Sequence, residues 1–343
     1  MFIYSVSAFF ISFFSIPFYR KLAKKYKILD IPNKRKVHKN PVPLLGGLSI
    51  FSAVILCFLF FYKNLKPITT LIFASSFIVI VGLINDKKKL SALARLIVQV
   101  FSALIFIIFC ERISFLPTGF LGNILEIIIS LVWIVGITNA YNYLDGLDGL
   151  ASSLAVINSF YFTIMFFCSG QYNLAFFCLI FLFSCLGFLP YNFKNASIFL
   201  GDTGSTFLGF ILACLAILGN WAEDNIVKIT IPILILSIPI FDMTFTTIMR
   251  IKERKVKNII QWLEYADKDH FHHYLVSLGF SSQMAVFFII LFAISLGISA
   301  IMLSNDKAFE AFLTLTQATI LFIIIGVLLV IGRKYQEKKK EVL

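Results

Sequence analysis

Apolar residues fill long unbroken stretches of this chain, and polar residues collect in the gaps between them. A helix needs about 20 apolar residues to cross a hydrocarbon layer of about 30 Å. Eleven stretches approach that length, at roughly 2–19, 44–62, 67–84, 92–110, 124–140, 150–168, 174–190, 206–221, 226–245, 283–303 and 310–332. The pattern predicts an all-α polytopic membrane protein of eleven transmembrane helices, one integral membrane domain over residues 1–343. The first stretch lacks a basic leading region and a small-residue cleavage site, and its positive charges follow it, so it reads as an uncleaved anchor with its N-terminus outside.

Composition supports the same class. Of 343 residues, 59% are hydrophobic and only 14% charged, with a mean hydropathy of +0.91; a soluble domain carries roughly 25% charge. That excludes a soluble enzyme, a disordered chain and a secreted disulfide scaffold. The six cysteines fall in or at the ends of apolar runs without a Cys-x-x-Cys pair, and read as small packing residues. Lys and Arg outnumber Asp and Glu by 30 to 18. With eleven spans, 25 of those 30 cations fall in the loops of one face, which the positive-inside rule makes cytosolic. The excess is therefore topological and implies no nucleic acid. The expected orientation is N-out and C-in, with a basic cytosolic loop at 20–43, a second at 246–282 and a basic tail at 333–343. Within the second loop, Val256, Ile259, Ile260 and Leu263 form an apolar stripe among Lys257, Asn258 and Glu264, predicting a short amphipathic helix around 256–266 on the membrane surface.

The chemistry concentrates on that same face. Asp86, Asp145, Asp148, Asp202 and Asp242 lie within about five residues of the expected cytosolic ends of spans, where a carboxylate costs a few kcal/mol unless paired, hydrated or metal-bound. Asn139, Asn142, Asp145 and Asp148 recur every three residues, which places them along one stripe of a helix end. Amides beside carboxylates suit a polar organic ligand or hydrated Mg2+ better than zinc. Asp202 stands between two glycines with Thr203 and Ser205 just before a span, in a position that reads as either an N-cap or a metal ligand facing phosphate. Asn85-Asp86 precede three lysines, which are topogenic or phosphate-binding. His270, His272 and His273 share one loop with no cysteine nearby and no His-x-x-x-His spacing, so they fit phosphate oxygens or sugar hydroxyls better than zinc. Nothing in the chain has the form of a Walker loop, a dinucleotide-binding glycine triplet or a Gly-x-Ser-x-Gly elbow.

Taken in order from about residue 30 to 275, these segments resemble the polyprenyl-phosphate N-acetylhexosamine-1-phosphate transferase family. Its members start bacterial cell-envelope glycans such as O-antigen and teichoic-acid linkage units, and include phospho-MurNAc-pentapeptide translocase. The likeness is carried by Asp-x-Pro-Asn-x-Arg-Lys-x-His at 30–38, the pair at 85–86, Asn-x-x-Asn-x-x-Asp-Gly-x-Asp-Gly at 139–149, Phe-x-Gly-Asp-x-Gly-Ser at 199–205, Pro-x-x-Asp at 239–242 and His-x-His-His at 270–273. The resemblance implies transfer of HexNAc-1-phosphate, GlcNAc foremost, from a UDP-sugar to undecaprenyl phosphate, releasing UMP. It implies Mg2+, with Mn2+ as a substitute, and a multi-pass enzyme of the bacterial inner membrane whose site faces the cytosol; a homodimer is compatible with it. By the same resemblance Asp202 and Asp86 hold the metal, and Asp86, Asp145, Asp148, His270, His272 and His273 serve catalysis. Asn139, Asn142, Asp148, Asn85, Arg35, His38 and Lys268 bind substrate.

The chain departs from the family at two of these positions. Asn85 stands where relatives carry Asp, and an amide cannot act as a general base. A phosphomonoester with a second pKa of about 6 is already mostly dianionic at neutral pH, so a base is dispensable there. Lys268 stands where relatives often have Arg, which keeps charge but loses the bidentate fork. The alternatives are a catalytically weakened homologue and a non-enzymatic membrane scaffold or transporter. A CDP-alcohol phosphotransferase fits only Asp145–Ala151, after which Ser152 replaces the expected Arg. A transporter would place ionisable groups near the bilayer midplane.

Overall fold

A computed structural model describes residues 2–32, 40–61, 66–117, 119–256, 261, 265, 269–303 and 307–342. They form two compact units, Met1–Trp221 and Ala222–Leu343. The first contains α1 (Phe2–Lys25), α2 (Gly46–Phe61), α3 (Lys66–Lys87), α4 (Ala92–Phe109), α5 (Phe120–Leu144), α6 (Leu150–Cys168), α7 (Tyr172–Asn192) and α8 (Gly201–Leu218). The second contains α9 (Asn225–Ile235), α10 (Ser237–Lys252), α11 (Phe271–Ser277), α12 (Ser282–Met302) and α13 (Ala308–Val342). A two-residue antiparallel pair, β1 (Leu29–Asp30) with β2 (Val42–Pro43), is the only sheet among the described residues. The protein is an all-α polytopic membrane protein.

Each of the eleven apolar stretches becomes helical, but not every one is a straight crossing. Nine helices among the described residues are long and apolar enough to span, and α9 with α10 makes a tenth only if the pair is taken as one span bent by 78°. The bend falls at Leu236, between Pro232 and Pro239. Proline removes a backbone donor and clashes with the preceding turn, so an apolar run can stay helical and still break. Helix α2 has 16 residues, about 24 Å of rise, short of a full crossing. Two helices begin or end away from their expected limits in ways that matter for the site. Helix α5 continues past 140 to Leu144, and α8 starts at Gly201 rather than 206. The expected amphipathic helix at 256–266 lies almost wholly outside the described residues.

The core of the first unit is α8, buried at every position from Thr203 to Ile217. A helix apolar all round belongs in the interior, and α2, α3, α5 and α6 pack against it. Small residues let backbones approach closely where membrane helices meet. A Cβ on Gly47 would sit on the backbone of Gly204. Buried polar pairs fasten the remaining helices: Asn158 donates to the Tyr141 hydroxyl at 2.6 Å, Ser152 to Asn192 at 2.8 Å, and Trp133 Nε1 to the Ala213 carbonyl at 3.1 Å. The chain ahead of α2 is stitched to the chain ahead of α8. Phe199 donates to the Pro43 carbonyl at 2.8 Å, and Gly46 and Gly47 donate to the Phe199 and Leu200 carbonyls at 2.9 and 3.0 Å.

Overpacking a tight helix contact costs about 1–3 kcal/mol. Gly47→Val is therefore expected to lower the thermal midpoint of the detergent-solubilised protein, read by size exclusion after heating. Gly136→Ala, at a glycine with open space around it, should elute like the wild type.

Candidate functional site

The acidic end of α3 and the start of α8 meet in one hydrogen-bonded junction. The first N–H groups of a helix have no partner within it and carry partial positive charge. At α8 these donors are met from another helix. Asp86 Oδ1 accepts from the Asp202 amide at 2.8 Å, and Oδ2 accepts from the Thr203 amide at 3.1 Å and the Thr203 hydroxyl at 2.6 Å. Gly201 makes room for this, since it sits at φ +68° and a Cβ there would stand 2.5 Å from Asp86 Oδ2. Both oxygens of Asp86 are thus engaged in fastening α8. Asp86, which the resemblance places at the metal together with Asp202, also orients Asp202.

Asp202 lies in the first turn of α8, not in a loop before it. Its Oδ2 accepts from Asn85 Nδ2 and from Arg95 Nη1 at 3.1 Å, and its Oδ1 from Asn142 Nδ2 at 3.1 Å. The Asn85 amide cannot be turned over, because its Oδ1 accepts from the Leu90 amide at 2.7 Å. Asn142 also donates to the Ser205 hydroxyl at 2.9 Å. One turn back on α5, Asn139 exchanges hydrogen bonds with Gln99 of α4 and donates to the Val135 carbonyl at 2.8 Å.

The expected stripe of Asn139, Asn142, Asp145 and Asp148 is split by the end of α5. The two amides remain on the helix, Asp145 caps it, and Asp148 sits in the turn that closes at Gly149. Asp148 Oδ2 accepts from the Ala196 amide at 2.9 Å. Asp145 is half-buried and has no hydrogen-bond partner among the described residues. Burial pushes its carboxyl well above the usual carboxylate range, and the negative charges of Asp202, Asp86, Asp148 and Asp30 push it the same way. Such a concentration of hard oxygen donors fits Mg2+ in chemical type. Among the described residues no three metal-binding side chains converge, so the group is not a preformed chelate.

The second unit holds a separate polar cluster. Asp242, fully buried on α10, accepts from His270 Nδ1 at 2.8 Å and from the Phe271 amide at 2.6 Å, which starts α11. That fixes the His270 proton on Nδ1 and leaves Nε2 facing Arg250 Nη2 at 3.4 Å. Arg250 is itself buried, with its Nε 3.8 Å from Asp269, and Lys255 donates to Asp269 at 2.9 Å. His272 is fully buried between His270 and His273, and neither of its ring nitrogens has a hydrogen-bond partner among the described residues. His273 is half-buried. Burial holds the His272 pKa well below the ordinary imidazole value, with His273 and His270 adding to the shift.

Of the residues expected at the site, the first unit brings together Asn85, Asp86, Asn142, Asp145, Asp148 and Asp202, with Asn139 one turn away. The second groups His270, His272 and His273. Arg35, His38 and Lys268 lie outside the described residues. Arg95 and Gln99 join this group only through the packing of α4, since in the sequence they have the look of a topogenic charge and a polar residue within a span. Their i, i+4 spacing, which gives α4 a polar stripe in an apolar helix, was the available signal.

Fold and clusters together define a multi-pass membrane protein with half-buried acidic and amide side chains gathered at helix ends. Residues 68–220 match the profile described as Glycosyl transferase family 4. The chain is 37% identical over 310 residues to a Bacillus subtilis (strain 168) protein named "Probable undecaprenyl-phosphate N-acetylglucosaminyl 1-phosphate transferase", covering 88% of this chain and 85% of that one. It is 28% identical to the decaprenyl-phosphate N-acetylglucosaminephosphotransferase of Mycobacterium leprae, covering 82% and 78% of the two chains. It is 31% identical over 246 residues to the phospho-N-acetylmuramoyl-pentapeptide-transferase of Staphylococcus aureus MSSA476, covering 64% and 77%. The chain belongs to the polyprenyl-phosphate N-acetylhexosamine-1-phosphate transferase family.

A buried neutral imidazole makes stability sensitive to acid. With its folded pKa depressed, His272 stays neutral while the unfolded chain takes up a proton below about pH 6.5. Stability is then retained above that pH and falls as pH drops, by up to about 1.4 kcal/mol per unit. The thermal midpoint of the wild type is expected to fall further between pH 7 and pH 5 than that of His272→Leu, measured in the same detergent.

Proposed function

We propose that this protein transfers N-acetylglucosamine-1-phosphate from UDP-N-acetylglucosamine to undecaprenyl phosphate at the cytosolic face of the bacterial inner membrane. The observation that carries the reading is the 37% identity to the Bacillus subtilis transferase over 88% of the chain. The reaction exchanges one pyrophosphate bond for another. An oxygen of the lipid phosphate attacks the phosphorus bound to the sugar, and the bond from that phosphorus to the bridging oxygen breaks. UMP leaves with the bonding pair, and no ATP is required. Mg2+, when bound, neutralises the converging phosphates and steadies charge on the leaving group.

The residues around Asp202 support these roles. Among the described residues Asp145 and Asp148 offer the carboxylate oxygens least committed elsewhere, Asp202 keeps one lone-pair position beyond its three donors, and Asp86 fixes the first turn of α8 and so aims Asp202. Asn142 holds Asp202 from the side of α5. The dianionic lipid phosphate needs no base, which agrees with Asn85 acting as a donor to Asp202. In the His cluster, the Asp242–His270 hydrogen bond fixes the imidazole tautomer and leaves Nε2 as an acceptor facing Arg250, which supports a role in ordering the loop that carries His273. An N-out orientation, with most Lys and Arg in the loops of one face, supports a site on the cytosolic side, where nucleotide sugars are made.

The test is release of UMP by the full-length protein in detergent from UDP-N-acetylglucosamine and Mg2+. UMP should form only when undecaprenyl phosphate is present, and Asp202→Asn should lower kcat on the order of 100-fold. UMP release that ignores the lipid, or none from any UDP-HexNAc, would refute the reading.

A further inference from the structure

The donors around Asp202 bear on when a divalent cation reaches it. An ionised carboxylate has about four lone-pair positions. Three of those on Asp202 are taken by Asn85, Arg95 and Asn142. Two of the three donors are held in orientation by other bonds, Asn85 by the Leu90 amide and Asn142 by Ser205. The third brings a full positive charge, with Arg95 Nη1 3.1 Å from Oδ2. A second cation approaching Asp202 meets that charge in surroundings where like-charge repulsion is only partly screened. Asp86 offers little help, since its oxygens are held by the Asp202 and Thr203 donors. Among the described residues, what this group has left for a metal is one position each on Asp202 and Asp86, Oδ1 of Asp148 and the oxygens of Asp145, too few on any one side chain to hold a cation without further ligands.

We propose that the divalent cation is not resident in this protein but is carried in by the diphosphate of the nucleotide sugar, with Asn85 and Arg95 acting as positioning residues that keep the metal affinity of Asp202 low until then. The inference rests on the Mg2+-dependent reaction proposed above. Mg2+ dehydrates reluctantly and is commonly held by one or two carboxylates completed by substrate phosphates. A diphosphate brings both the missing oxygens and the negative charge that offsets Arg95. An Asp at position 85 would instead set a second carboxylate against Asp202 and attract the cation without nucleotide.

The experiment measures Mn2+ bound by the full-length protein in detergent, from the electron paramagnetic resonance signal of free Mn2+. It is run with no nucleotide and with UDP, and a protein-free UDP control is subtracted. The wild type should bind weakly alone and at least about tenfold more tightly with UDP. Arg95→Gln and Asn85→Asp should each tighten the nucleotide-free binding about tenfold, the direction expected when one positive charge is lost or one negative charge gained beside a carboxylate. Either variant carries the test if the other fails to fold. Equal wild-type affinity with and without UDP overturns the inference, as does unchanged nucleotide-free affinity in the folded variants. Lipid-dependent UMP release by the wild type, assayed alongside, separates failure of this inference from failure of the reaction itself.

Discussion

The first turn of a helix has donors that must be satisfied, and for α8 they are satisfied by Asp86 from the end of α3. Several features of the first unit depend on that contact. Helix α8 runs through the most buried part of the unit, where water cannot serve its amides. Gly201 takes a left-handed backbone angle, and its missing Cβ leaves room for the carboxylate. With α8 held at this height, Asp202 turns back toward Asn85, Arg95 and Asn142, so that α3, α4 and α5 all reach one carboxylate. A hydrogen bond to a charged group contributes about 1.5–3 kcal/mol net, and here it also sets geometry.

The second unit solves a comparable problem with the same chemistry. Asp242 accepts the first amide of α11 and the His270 ring N–H together, so one buried carboxylate starts the helix and selects the tautomer. Arg250 and Lys255 balance Asp269 beside it. Burying these charges is tolerable because each is paired; removing one partner would strand the other in an apolar surround. In both units, a carboxylate on one helix, at the end of α3 and within α10, organises the start of another.

Much of this was legible in sequence, and the misses have physical causes. Long apolar runs report helices in a bilayer because every backbone group must be bonded internally, so all eleven stretches were found. The break at Leu236 was not, because prolines 232 and 239 lie inside a run that hydropathy alone treats as continuous. Asp86, Asn142 and Asp202 stood out as polar residues at span ends, but their division of labour did not: whether a carboxylate faces a metal or caps a helix depends on a partner more than 110 residues away. Arg95 has the look of a topological charge, because a cation near a span end ordinarily is one. Only the packing of α4 beside α3 and α5 shows that it faces Asp202.

Asp86 acts through the first turn of α8, and a double-mutant cycle on thermal stability tests this directly. Asp86→Ala and Thr203→Ala each remove one side of the contact, and the pair removes both. Residues in direct hydrogen-bonded contact couple by about 0.5–3 kcal/mol, while independent sites add to within about 0.5 kcal/mol. The structure predicts that the double variant is less destabilised than the sum of the two single variants by about 1 kcal/mol or more. Strict additivity would mean that Asp86 and Thr203 do not share a bond, and that something else holds the start of α8.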